Sequence, residues 1–253
     1  MIYVFGGSGY IGSAILKELK KLELSAYSVG RSPSDNINLD LNNLDLSSLK
    51  NIKKGDICIF LSAISSPEYC NKNYENAFKV NVKSTSAIIT SLLDEGAILL
   101  FASSDVIYGK TENPVDEESN INPCFEYAEM KAIIEDKFIH YQNFYVMRLS
   151  YVWSLKDKFS KFLLASFAEN SKVKIFDPFI RSIISINDLI LFVTKFCSQY
   201  NKIPKIINLA GPDFLSRKQL VEEYSKRLEL NYEIVKPDDD FFKYRPDKIL
   251  MIS

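Results

Sequence analysis

The chain predicts an α/β fold in which a doubly wound parallel sheet carries helices on both faces and a smaller lobe is woven from the later segments. Three observations predict it. Apolar β-rich runs alternate with amphipathic helical patterns, the runs are continuously apolar as in strands buried on both faces, and a glycine-rich turn joins the first strand to the first helix. The first run, Ile2-Tyr3-Val4-Phe5, leads into Gly6-Gly7-Ser8-Gly9-Tyr10-Ile11-Gly12. Ile11, Ile15, Leu16, Leu19 and Leu22 then recur at helical spacing. Further strands are predicted over Ala26–Val29, Asp56–Leu61, Ala97–Ala102 and Phe144–Leu149, with helices around Glu75–Leu93 and Phe125–His140 between them. The stretch from Gly30 to Asn51, rich in Ser, Asp and Asn, predicts an irregular loop.

Beyond Tyr151 the alternation continues less regularly. A helix is predicted over Phe159–Glu169, a strand over Val173–Phe176, a helix over Asn187–Tyr200, a strand over Lys205–Leu209 and a helix over Arg217–Leu228. No repeat or low-complexity tether separates the halves. Residues 1–150 are therefore expected to form a dinucleotide-binding unit, joined by returning segments around 177–209, and residues 151–253 an interleaved substrate-binding lobe. Asp238-Asp239-Asp240 reads as a solvated turn.

Composition narrows the classes. The 253 residues are 47% hydrophobic, enough for a full core. A net charge of −1 with both signs mixed gives no support for nucleic-acid or anionic-membrane binding. No apolar run approaches a membrane span. The first methionine lies almost on the first strand, which leaves no room for a signal or transit peptide, so a cytoplasmic protein is expected. Of the four cysteines, Cys58 and Cys197 sit in apolar runs and read as buried thiols of a reducing compartment, and Cys70 and Cys124 form no C-x-x-C pair with them. The single histidine, His140, reads as a surface residue near a helix end, and no metal site is expected.

Gly6, Gly9 and Gly12 satisfy G-x-x-G-x-x-G, and Gly7, Gly9 and Gly12 satisfy G-x-G-x-x-G. Alone that pattern is weak. Between a strand and a helix it predicts a dinucleotide site, because glycines let backbone N–H groups approach a pyrophosphate and the helix N-terminus favours its charge. Tyr10 and Ile11 belong to the same turn. Where an acidic residue would bond the ribose 2′-hydroxyl of NAD, this chain has Arg31 and Ser32, which suit a 2′-phosphate. NADP(H) is therefore expected ahead of NAD(H), which stays possible because an arginine also stacks on adenine.

Tyr127 and Lys131, four apart in a predicted helix, share one face. A phenol titrates near 10 and is a reluctant acid, so a neighbouring ammonium is expected to stabilise its phenolate. The pair alone is common and describes a solvated surface equally well. Upstream, Ala102-Ser103-Ser104-Asp105-Val106 follows a strand end, where a doubly wound sheet exposes reactive groups, and a hydroxyl there suits a substrate carbonyl oxygen.

Together the glycine motif, the Ser-Ser-Asp loop and Tyr-x-x-x-Lys, in this order and spacing, resemble the extended short-chain dehydrogenase/reductases, whose core is a Rossmann sheet. The resemblance implies a catalytic set of Ser104, Tyr127 and Lys131, the last two also touching the cofactor, with Asn81 completing the proton relay and cofactor environment. It also implies cofactor contacts from Asp40 and Leu41 near the adenine and from Leu61, Ser62 and Ala63. Arg148-Leu149-Ser150, Arg181-Ser182 and Leu209-Ala210-Gly211-Pro212 resemble the dTDP-4-dehydrorhamnose reductase branch. That likeness implies reduction of a nucleotide-linked keto-sugar, with Asp105, Arg181 and Arg245 as candidate substrate contacts. Ile183-Ile184 stands where the branch carries Pro-Thr, and the tail beyond Arg245-Pro246 is brief, which opens the identity of the sugar. Val106 occupies the position of a dehydratase glutamate and transfers no proton, so dehydration is excluded. An epimerase holding NAD tightly, or a non-catalytic subunit like that of methionine adenosyltransferase, are the alternatives. A homodimer pairing through the helices near 76–93 and 126–140 is expected by analogy alone.

Overall fold

Continuous apolar runs become the strands of the main sheet. The computed structural model, which describes residues 1–226, 228–237, 242 and 245–253, runs β1 over Ile2–Phe5, β2 over Ala26–Gly30, β3 over Ile37–Asn38, β4 over Ile57–Phe60, β5 over Ile98–Ser104 and β6 over Phe144–Leu149. Then follow β7 (Tyr151–Trp153), β8 (Val173–Phe176), β9 (Ile180–Ser185), β10 (Ile206–Leu209), β11 (Phe214–Ser216), β12 (Tyr232–Val235) and β13 (Lys248–Ile249). Seven strands form one sheet in the order β10-β6-β5-β4-β1-β2-β3, parallel throughout. Every residue of β1 and β4 is buried, which is why neither shows the alternation of a one-sided strand.

Successive residues of β1 enter opposite cores: Tyr3 and Phe5 join Phe60, Phe101 and Phe144 on one face, Ile2 and Val4 join Ile59, Leu100 and Met147 on the other. On the first face the rings stack across the strands, Phe5 to Phe60 at 5.1 Å and Phe101 to Phe144 at 6.0 Å between centroids. The helices are α1 (Tyr10–Lys21), α2 (Pro67–Lys72), α3 (Tyr74–Phe78), α4 (Thr85–Asp94), α5 (Glu126–Phe138), α6 (Lys158–Ala168), α7 (Ile186–Gln199) and α8 (Arg217–Ser225). None of them is long and apolar enough to cross a membrane, among the described residues.

Two differences from expectation have physical causes. The helix expected over Glu75–Leu93 is interrupted by a π-helical turn, Lys79–Ser84, between α3 and α4. That turn presents the buried amide of Asn81 to the backbone of Ile64 through two hydrogen bonds of 2.8 and 2.9 Å. Of the segment expected to return around 177–209, α7 and β10 join the main sheet, whereas β9 lies in a second sheet between β11 and β13 and also pairs β7. The last helix ends at Ser225 rather than Leu228, and Asp238-Asp239-Asp240 lie outside the described residues. Cys58 is buried as expected, Cys197 only in part, and His140 is exposed.

The topology reverses at β1 and β4. From β1 the chain builds outward through β2 and β3 on one side, and from β4 through β5, β6 and β10 on the other. A crevice therefore opens beyond the carboxyl ends of β1 and β4, the place where such sheets bind ligands.

Candidate active site

The glycine turn is compact because it must be. Gly6 has φ of +81°, a conformation that L side chains rarely adopt. A Cβ on Gly12 would lie 2.3 Å from the Gly6 carbonyl oxygen, so α1 packs directly on the turn. No side chain caps α1 at Gly9, and its first N–H groups face the turn unclaimed by a cap. Beyond the turn lies a cleft of about 720 Å³. Its walls include Gly6, Gly9, Arg31, Asp40, Leu41, Leu61, Ser62 and Ala63 of the expected cofactor set. A glycine cradle opening on a cleft of this size at the sheet's reversal point fits a dinucleotide.

Four residues expected around the cofactor from the first two strand ends do not line this cleft. The Tyr10 hydroxyl donates to Ser154 Oγ at 2.7 Å, Ile11 packs in the second core, and Gly12 lies behind the turn. The Ser32 hydroxyl instead shares a 2.8 Å hydrogen bond with Ser34. Lining residues that the motifs did not signal include Ser8, Asn42, Ser65 and Ser66, and Lys158, which α6 brings from a distant part of the chain.

Tyr127 and Lys131 are also outside that lining and stand on one face of α5, which packs on β5 and on the turn Asp105–Tyr108. Lys131 is buried, donates to the Ala102 carbonyl at 2.6 Å, and lies 4.5 Å from the Phe101 ring centroid and 5.8 Å from that of Tyr127. Burial lowers the Lys131 ammonium to about 8, with Glu135 and Cys70 pulling the other way. The Tyr127 phenol is pushed above its ordinary range by burial, with Cys70 and Asp105 adding to the effect. The net shift is opposite to the lowering expected from the lysine, because desolvation outweighs it in the free protein. The Tyr127 hydroxyl makes no hydrogen bond to any other described residue.

Ser104 closes β5, and its Oγ donates to Asp105 Oδ1 at 3.0 Å. Asn81 is buried, and its amide holds Ile64 at the cleft wall, so it shapes the wall through the backbone.

Two of the three expected substrate residues meet each other. Arg181 Nε lies 3.8 Å from Asp105 Oδ2, both side chains being almost wholly buried. The guanidinium also donates to the carbonyls of Ile180 (2.8 Å) and Pro246 (2.6 Å) and lies on the Phe179 ring. Burial lowers Arg181 to about 10, with Asp105 opposing, and raises the Asp105 carboxyl, with Arg181 opposing. Arg245 pairs with Glu68 of α2 instead. Arg217, which no motif signalled, stacks on the other residues of this corner, 4.5 Å from the Phe179 centroid, around a hollow of about 40 Å³ lined also by Tyr151, Arg181 and Leu215.

Comparison with known proteins agrees with this architecture. The chain is 27% identical over 140 residues to methionine adenosyltransferase 2 subunit beta of Xenopus tropicalis, a match covering 54% of this chain and 42% of that protein, so it spans less than half of that relative. Its fold is shared with the dTDP-4-dehydrorhamnose reductase of Bacillus anthracis str. Ames solved in complex with NADP, at a TM-score of 0.85 and 18% identity, over 100% of this chain and 89% of that one. It is shared also with the UDP-glucose 4-epimerase of Thermus thermophilus solved with NAD, at a TM-score of 0.79 and 16% identity, over 99% and 88% of the two chains. The model of the NAD dependent epimerase/dehydratase family matches residues 2–210, a span that holds the glycine turn, Ser104, Tyr127 and Lys131, and the chain belongs to that family.

Proposed function

We propose that this protein is an NAD(P)H-dependent reductase of a nucleotide-linked keto-sugar, acting at a keto carbon expected to be C4 of a 6-deoxyhexose. The observation that carries the proposal is the buried Tyr127–Lys131 face of α5, set against the end of β5 beside Ser104 with the phenol free of protein hydrogen bonds. The glycine turn and cleft hold the cofactor, and the later segments around Asp105, Arg181 and Arg245 take the sugar nucleotide. When bound, the reduced nicotinamide supplies the hydride.

The chain's own residues handle the oxygen. Ser104 Oγ turns from Asp105 to donate to the carbonyl oxygen, and Tyr127 donates the proton. Burial keeps Tyr127 protonated at neutral pH, which is the form a donor needs. The phenolate left behind is stabilised by the Lys131 ammonium on the same face. Because burial lowers Lys131 to about 8, that ammonium discharges as pH rises through this value. In the reducing direction kcat/KM is therefore expected to fall above a pH of about 8, with the slope of a single proton. A profile flat through that region would show that the charge on Lys131 is not required.

The function is tested by offering the purified protein NADH or NADPH with a panel of nucleotide-linked 4-keto sugars and following loss of the nicotinamide absorbance. Consumption with at least one sugar is expected. Tightly retained NAD with no net consumption would move the assignment to an epimerase. Presence of Ser104, Tyr127 and Lys131 together weighs against a purely regulatory subunit, which needs no proton donor.

The cradle makes its own prediction. Gly12→Ala sets a Cβ 2.3 Å from the Gly6 carbonyl oxygen, forcing the turn to open. The dissociation constant for reduced cofactor is expected to rise at least about 10-fold, read by nicotinamide fluorescence, with the far-ultraviolet spectrum retained. Unchanged affinity would show that the turn is not the pyrophosphate cradle.

A further inference from the structure

Asp35 belongs to none of the motifs above, yet its carboxylate sits at the end of β2. Asp35 Oδ2 accepts hydrogen bonds from the Ser32 N–H (3.0 Å) and from Ser8 Oγ (3.3 Å). A Cβ on Gly30 would lie 2.5 Å from that same oxygen, so the carboxylate rests directly on the Gly30 backbone. Ser8, Gly30 and Arg31 all line the cleft. The loop is not loosely placed: Asn36 Oδ1 accepts from the Ser28 N–H at 2.9 Å, the Asn36 N–H donates to Ser28 Oγ at 2.9 Å, and the Asp35 N–H donates to the Ser32 carbonyl. The fold thus returns a carboxylate to the strand end where the linear sequence shows only Gly30-Arg31-Ser32.

We propose that Asp35 selects NAD(H) over NADP(H) by occupying, with its own carboxylate, the seat that a ribose 2′-phosphate would need. The inference rests on the dinucleotide-binding proposal above and reverses the preference expected from Arg31 and Ser32. The donors that would hold a phosphate there are engaged: the Ser32 N–H and the Ser8 hydroxyl with Asp35, and the Ser32 hydroxyl with Ser34. A dianion brought against a fixed carboxylate meets like charge in a partly desolvated corner. The second oxygen, Asp35 Oδ1, is shut off from solvent and accepts no hydrogen bond among the described residues. What this corner lacks is a donor, which a ribose hydroxyl supplies and a phosphate does not. Arg31, exposed and without a partner among the described residues, remains free to cover the adenine.

The test is a direct titration of the full chain with NADH and with NADPH by nicotinamide fluorescence, needing no sugar. The wild type is expected to bind NADH at least about 10-fold more tightly than NADPH. Asp35→Ala frees the Ser32 and Ser8 donors and leaves Arg31 to pair with the phosphate, so the affinity ratio is expected to shift towards NADPH by about 10-fold or more. Adding Arg31→Ala to that variant should abolish the gain. Asp35→Asn, which keeps an acceptor for the loop but loses the charge, is expected to shift the ratio in the same direction and guards against a folding failure in the alanine variant. A wild type that prefers NADPH, or a ratio unchanged in both Asp35 variants, overturns this inference and leaves the cofactor site standing. Failure of the wild type to bind either cofactor overturns both.

Discussion

Tyr127→Phe is expected to lower kcat for keto-sugar reduction by about 10³-fold while leaving the affinity for reduced cofactor unchanged. The substitution deletes one oxygen and keeps the ring, which packs beside Cys70, Ala77, Val82 and Met130. Since that hydroxyl has no hydrogen-bond partner among the described residues, its loss orphans no donor or acceptor. Stability should therefore stay within about 0.5 kcal/mol of the wild type, as for a substitution that breaks no buried network. What disappears is the proton. A hydride can then reach the carbon only as the alkoxide is left to Ser104 or to water, neither placed with a cation alongside. Kinetics, cofactor titration and thermal unfolding on the same preparation separate these effects. A variant as active as the wild type would remove Tyr127 from the chemistry and with it the main support for reductase action.

The parts of the molecule legible in the sequence are those whose cause is local. β1 and β4 are readable because both their faces are buried, so every residue is apolar. The glycine turn is readable because its constraint, close approach of α1 to the Gly6 carbonyl, acts within a few residues. Tyr127 and Lys131 are readable because helical periodicity alone puts them side by side. The rest depends on contacts between distant segments. Nothing local announces that Asp105 will meet Arg181, that Arg245 will meet Glu68, or that α6 will bring Lys158 to the cleft. Asn81 interrupts a pattern that otherwise reads as one helix, because its amide answers the backbone of Ile64 rather than its own turn. The short strands β7, β11 and β13 have two or three residues each, too few for any periodicity to show. Asp35 is hidden for a related reason: the loop bends back through Asn36 and Ser28, a turn that composition marks only as irregular.

Breaking the buried pair between Glu135 and Arg148 is expected to cost about 3–5 kcal/mol of stability, the range for removing one partner of a desolvated ion pair. Arg148 Nη2 lies 2.8 Å from Glu135 Oε2 and Nε 3.2 Å from the same oxygen, with each side chain 5% exposed. The guanidinium also donates to the Tyr108 hydroxyl at 2.7 Å, and that hydroxyl lies 2.9 Å from Asn208 Oδ1. One network therefore ties α5 to β6, to the turn after β5 and to β10. Glu135→Leu leaves the guanidinium buried without its counter-charge, whereas Glu135→Leu with Arg148→Met removes both and should recover much of the loss. Denaturant unfolding of the two variants decides this, and equal stability of the single variant and the wild type would refute it. The same carboxylate has a second effect one helical turn away, since Glu135 raises the Lys131 ammonium against the lowering caused by burial. Glu135→Gln keeps acceptors for Arg148 but removes the charge, so Lys131 should titrate below about 8 and the upper limb of the pH–rate profile should move to lower pH. A stabilising ion pair in the core is thus also part of what holds the catalytic lysine charged, and a limb that stays in place in Glu135→Gln would separate the two roles.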